Sequence, residues 1–66
     1  MTVAKTIEIS SSSKKSFEDA VKVGVAKAAE SLSNITNAWV MDQEVVVAKG
    51  KVTEFRVRMK LTFVLK

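Results

Sequence analysis

The sequence predicts an α+β fold: a β-α-β-β chain whose three-stranded antiparallel sheet wraps around one helix. Three observations carry this. From Phe55 to Leu65 the chain alternates without a slip, with Phe55, Val57, Met59, Leu61, Phe63 and Leu65 on one parity and Arg56, Arg58, Lys60, Thr62 and Val64 on the other. A period of two over that length is a strand with one apolar and one cationic face. Upstream, Phe17, Ala20, Val21, Gly24, Val25, Ala28 and Leu32 recur at spacings of three and four, the stripe of an amphipathic helix. Before the alternating strand, Lys49-Gly50-Lys51 offers a turn with glycine available for positive φ.

Taken in order, Val3 to Ile9 reads as a short first strand, with Val3, Ile7 and Ile9 on one parity and Thr6 and Glu8 on the other. Ser10 to Ser13 reads as a polar loop whose hydroxyls satisfy backbone groups, since it lacks the glycines of a phosphate-binding loop. Ser16 opens the helix, and Asp19 three residues on completes an N-cap with a carboxylate near the positive helix end. The small residues Ala20, Gly24 and Ala28 predict close approach of helix to sheet, and Ser33-Asn34 ends the helix. A second strand is expected from Thr36 to Ala48, and the third from about Val52. On the second strand Ala38, Val40 and Val46 share one parity, and Asn37, Trp39, Met41 and Gln43 the other. Placing Ala38 and Val40 on the packed side leaves Trp39 and Met41 beside Arg56 and Arg58, an exposed apolar patch of the kind that marks an interface or a ligand pocket.

Composition narrows the function. The chain of 66 residues is expected to form one domain, 1–66, and a domain this small buries only about 60% of its unfolded surface. Cysteine and histidine are both absent, which excludes disulfides and the usual soft or imidazole metal ligands. The remaining way to stabilise a small core is self-association, for which an apolar fraction of 47% is ample. Without His, Cys or Tyr, and with no clustered acid–base motif, the expectation is a protein that is not an enzyme. The net charge of +4 is spread along the chain, and the sheet lacks the spaced aromatics of an RNA-binding surface, so no nucleic-acid partner is expected. No stretch reaches membrane-spanning length, and Met1 to Lys5 lacks the apolar core of a signal peptide. A cytoplasmic protein without a membrane partner is the expectation.

These residues resemble the dodecins. The resemblance rests on the β-α-β-β order and length, the helix start at Ser16-Phe17 and Ala20, the Asn34-Ile35…Asp42-Gln43 segment and the terminal Phe63-x-Leu65. It covers nearly the whole chain. It implies a non-enzymatic binding protein that assembles as a hollow homododecamer of cubic symmetry, each subunit wrapping its sheet around one helix. It also implies flavin, riboflavin or FMN, stored and shielded between subunits. In flavin-binding members the flavins stack on a Trp of the second strand, and a Gln of the third strand contacts the isoalloxazine edge.

The Trp position falls on Asn37, counted from either Asn34 or Asp42, and the Gln position falls on Arg56, counted back from Phe63. The single Trp is Trp39, two residues on and displaced by roughly 6.6 Å along the strand. Arg only donates and brings charge, so Arg56 suits a flavin O2, O4 or phosphate, while Trp39 offers its ring from the shifted position. The candidate cofactor-binding residues are therefore Trp39, Asn37, Arg56, Arg58 and Gln43. The Gly50-Lys51…Thr53-x-Phe55-Arg56 stretch is similar to the calcium-dodecin branch, which implies instead a structural or ion-binding shell without flavin. Asp42 and Glu44 are the candidate calcium ligands, their plainer role being ion pairs with Arg56, Arg58 or Lys60. Trp39 likewise suits either a subunit interface or a ligand stack.

Overall fold

The computed structural model describes residues 2–65; Met1 and Lys66, the ends of the expected domain, lie outside the described residues. The elements are β1 (Val3–Ser13), α1 (Phe17–Ala29), β2 (Ile35–Ala48) and β3 (Lys51–Leu65). The strands form one antiparallel sheet in the order β1-β3-β2. The long alternating strand is thus the central one. Its 15 residues, at about 3.4 Å each, account for the 51 Å long axis of the molecule. The helix lies across β1 and β3 and barely reaches β2. Among the described residues no helix is long and apolar enough to cross a membrane.

The core sits where the alternation places it. Val57, Met59 and Leu61 are fully buried under the helix, together with Ala20. Each such aliphatic side chain contributes on the order of 1.5–3 kcal/mol on burial. Phe17 meets Phe55 edge to face with ring centroids 5.2 Å apart, a geometry that favours the aromatic quadrupoles. Leu65, on the same parity as these core residues, is half exposed at the strand end.

Ser16 is the N-cap as its spacing predicts, its hydroxyl accepting from the Asp19 amide at 2.9 Å. Gly24 is what allows the helix to lie so close. A Cβ built there would stand 2.6 Å from Met59 Cε and 2.9 Å from Ser11 Cβ. The β2–β3 hairpin turns on Lys49 (φ 54°) and Gly50 (φ 76°), between the paired Ala48 and Lys51. Two consecutive positive φ values are the signature of a type I′ turn, whose twist matches that of the flanking strands.

Three expectations are corrected. The serine run is strand, not loop: Ser10 to Ser13 continue β1 opposite Arg58 to Phe55. Ser13 there is buried, donates to Asp19 Oδ2 at 2.6 Å and accepts from the Lys15 amide at 2.9 Å. The long central strand supplies ladder partners that outweigh serine's turn preference, and a small residue at Ser11 is what the space under Gly24 requires. Secondly, the helix ends at Ala29 rather than at Ser33-Asn34. Leu32 lies past it, its amide bonded to Ala28 O, and Asn34 (φ 63°) reverses the chain before its carbonyl accepts from the Val64 amide. Thirdly, β2 is not a strict two-residue repeat. Val40 pairs with Met59 but Asp42 with Arg58, so Met41 is the extra residue of a β-bulge. Beyond it the faces exchange parity. Gln43 pairs with Val57 and Val45 with Phe55 on the helix side, while Val46 pairs with Glu54 on the outer side.

Candidate functional site

The outer face of the sheet, away from the helix, is built from rungs of three residues. Ladder partners share a face, so the register gives each rung directly. One is Glu8–Lys60–Trp39, the next Ser10–Arg58–Asp42, and the next Ser12–Arg56–Glu44. Above Trp39 the pair Thr62–Asn37 continues the face, with Thr6 beyond it.

Trp39 is 62% exposed, on the strand edge that the helix leaves uncovered. Lys60 Nζ lies 5.6 Å from the centroid of its ring, within cation–π range. Arg58 Nη2 donates to Asp42 Oδ2 at 2.7 Å, and Arg56 Nη1 stands 3.6 Å from Glu44 Oε1. The Arg58 guanidinium is held more firmly protonated than usual, first by its hydrogen bond to Asp42 and then by the charges of Asp42, Glu8 and Glu44. Around these two pairs the surface forms a shallow, polar concavity lined by Ser10, Asp42, Glu44, Arg56 and Arg58 along with Gln43 and Val57.

Of the residues singled out from the sequence, Trp39, Asn37, Arg56 and Arg58 share this face. Gln43 borders the concavity, yet the bulge pairs it with Val57, on the parity of the buried core rather than of Trp39. Trp39 is not beside Arg56, as the unbroken repeat implied. Its rung partner is Lys60, with Arg56 two rungs away. Lys60 is the site residue that the sequence reading passed over as part of a cationic row. Asp42 and Glu44 are taken up by the two arginines, and the described residues contain no group of three or more acidic, His or Cys side chains able to hold a metal ion.

The arrangement offers an aromatic plane, an amide with both a donor and an acceptor, and a short row of cations. That is the equipment for holding a flat, polar-edged molecule.

Comparison with known proteins agrees with this architecture. The Dodecin family model matches residues 3–66. Dodecin from Streptomyces davaonensis superposes with a TM-score of 0.94 at 22% identity, over 98% of this chain and 96% of that one. A Thermus thermophilus dodecin variant gives 0.94 at 23% identity over 100% and 98%. The calcium-chelating immunodominant antigen of Mycobacterium tuberculosis, a calcium dodecin with a calcium-binding site, is 31% identical over 97% of this chain and 91% of that chain, with a TM-score of 0.85. No curated protein sequence matches. The resemblance read from Ser16-Phe17, Asn34-Ile35 and Phe63-x-Leu65 extends over the whole fold, and the chain belongs to the dodecin family.

Proposed function

We propose that this chain is a non-enzymatic binding protein that assembles as a homododecamer and sequesters a flavin, riboflavin or FMN, on the outer sheet face at Trp39. The observation that carries this reading is a tryptophan left 62% exposed among polar and cationic neighbours. A ring so placed is costly in an isolated subunit and useful only against another surface. Self-assembly is supported by the small core. Among the described residues four side chains are fully buried, while Val3, Val47, Val52 and Leu65 are each about half exposed, and a second copy is the simplest cover for them.

The residues fit a flavin. Trp39 supplies the stacking plane, Asn37 can both donate to and accept from the imide edge, and Lys60 and Arg58 are donors for ring oxygens. When bound, the flavin supplies a photochemically reactive isoalloxazine; these side chains hold it, orient it and shield it from solvent. Arg56 lies at the far end of the same face and is paired to Glu44, so its part is to set the local charge.

The test is direct. Quenching of riboflavin or FMN fluorescence on titration with protein is the expected result. Flavin that keeps its full fluorescence over an excess of subunits overturns the reading, and a stable monomer by mass measurement in solution overturns the shell.

A second reading, a shell that binds calcium and no flavin, is favoured by the identity to the calcium dodecin. Against it, calcium at Asp42 and Glu44 must break the ion pairs to Arg58 and Arg56 and draw further oxygen ligands from other subunits. Calorimetric titration with calcium separates the two: saturable binding lost in Asp42→Asn is expected of this reading alone.

A further inference from the structure

Of the three charged rungs on the outer face, two are closed by ion pairs: Arg58 is 2.7 Å from Asp42, and Arg56 is 3.6 Å from Glu44. The third is built differently. Lys60 has Glu8 and Trp39 as its direct ladder partners on either side. Among the described residues no ion pair joins it to Glu8, and its Nζ lies 5.6 Å from the centroid of the Trp39 ring. The charge of Glu8 is felt instead by Arg58.

Trp39 stands on β2, an edge strand that the helix barely reaches, and is 62% exposed. An exposed indole samples several staggered rotamers, and a flat ligand that stacks on it must first select one. Directly opposed side chains on neighbouring strands start about 5 Å apart at Cβ, so the flexible stem of Lys60 reaches the ring without leaving its rung. An ammonium over one face restricts the indole and leaves the other face for a ligand. Ordering a side chain at the moment of association is a cost that prior restriction removes. We propose that Lys60 is a positioning residue for Trp39, holding the indole by a cation–π contact in the orientation that receives a flat ligand on the opposite face. This role acts through the indole and is separate from the donors that the ammonium carries. Its consequence for ligand binding rests on the flavin reading above; the hold on the ring does not, and is read without ligand.

The experiment uses Trp39 itself as the probe, since the chain has one Trp and no Tyr. In the assembled protein, before any flavin is added, Lys60→Met keeps an unbranched stem and removes the charge. It should weaken the near-ultraviolet circular dichroism band of Trp39 and increase quenching of its emission by acrylamide. Lys60→Arg keeps a cation for the ring and should restore both; Lys60→Gln replaces Lys60→Met should that variant fail to fold. Riboflavin titration should then show binding weakened by about two- to fivefold in Lys60→Met, the size an exposed cation–π contact supports, and recovered in Lys60→Arg. Glu8→Gln, which removes the other rung partner of Lys60, should leave the Trp39 band at least as strong. A band and acrylamide quenching unchanged in Lys60→Met overturn the positioning role, even where riboflavin affinity falls, because Lys60 is then a donor alone. A band that weakens in Glu8→Gln places the hold in the carboxylate and overturns it too. A freed ring with unchanged riboflavin affinity overturns the link between the hold and binding. Wild-type protein that quenches no riboflavin overturns the flavin reading, while the ring measurements still decide whether Lys60 holds Trp39.

Discussion

Gly24→Ala tests the helix–sheet contact on which the core depends. On propensity alone, alanine at a helix interior gains about 0.8–1 kcal/mol over glycine. Geometry opposes it. The new Cβ would meet Met59 Cε at 2.6 Å and Ser11 Cβ at 2.9 Å, where ordinary contact begins near 3.4 Å. The Met59 terminus is fully buried but is the flexible end of a side chain and can swing. Ser11 Cβ is fixed to the β1 backbone, so the helix must lift by about 0.5 Å, the difference between 2.9 and 3.4 Å, loosening its grip on Val57, Met59 and Leu61. Overpacking of this kind costs about 1–3 kcal/mol, so the net loss is about 1 kcal/mol. In a domain of this size that lowers the midpoint by roughly 4–8 °C. The assay is thermal unfolding at one fixed protein concentration, since assembly makes the midpoint concentration-dependent. Met59→Leu, which removes the closest clashing atom, should make the double variant less unstable than the sum of its parts. A midpoint that rises in Gly24→Ala, or strict additivity with Met59→Leu, refutes the close-packing account.

Four further outcomes follow from the same structure. Trp39→Ala should abolish flavin quenching and leave the assembly mass unchanged if the ring serves only the ligand; dissociation into smaller species by light scattering would assign the ring to a subunit interface. Ser13→Ala removes both the bond to Asp19 and the acceptor for the Lys15 amide, and should cost about 1–2 kcal/mol in denaturant unfolding; an unchanged midpoint refutes that role. Lys49→Asn places a residue that tolerates positive φ at the first turn position and should stabilise by a few tenths of a kcal/mol to about 1, read from the same unfolding curves. Stability should be flat from roughly pH 6 to 9, because the chain has no His or Cys to titrate there. The Arg58 shift agrees in sign. The Arg58 pKa is raised on folding, so its contribution is fully present below the unfolded value and is lost only as pH rises through the folded one, far into alkali. A stability transition near neutrality would contradict this.

Much of the fold was legible because its signals are local and redundant. The alternation of β3, the stripe of α1, the Ser16 cap and the Lys49-Gly50 turn each state their element independently. The serine strand was illegible because Ser10 to Ser13 carry no apolar pattern of their own; β3 dictates their conformation from across the sheet, and the demand for smallness at Ser11 arises from Gly24 in a different element. The Met41 bulge was legible in principle. Ala38, Val40, Asp42 and Glu44 all fall on even positions, so a strict two-residue repeat that buries the first pair must also drive two carboxylates against the helix. Burial of unpaired charge costs far more than one unpaired backbone position, so the strand must take an extra residue between Val40 and Asp42, and Met41 is the only residue there. That one insertion moves Asp42 and Glu44 onto the face of Trp39 and opposite Arg58 and Arg56. The same step carries Gln43 away to the core side. The two arginine–carboxylate pairs on the face of Trp39 are therefore a consequence of the bulge rather than of any motif read along the strand.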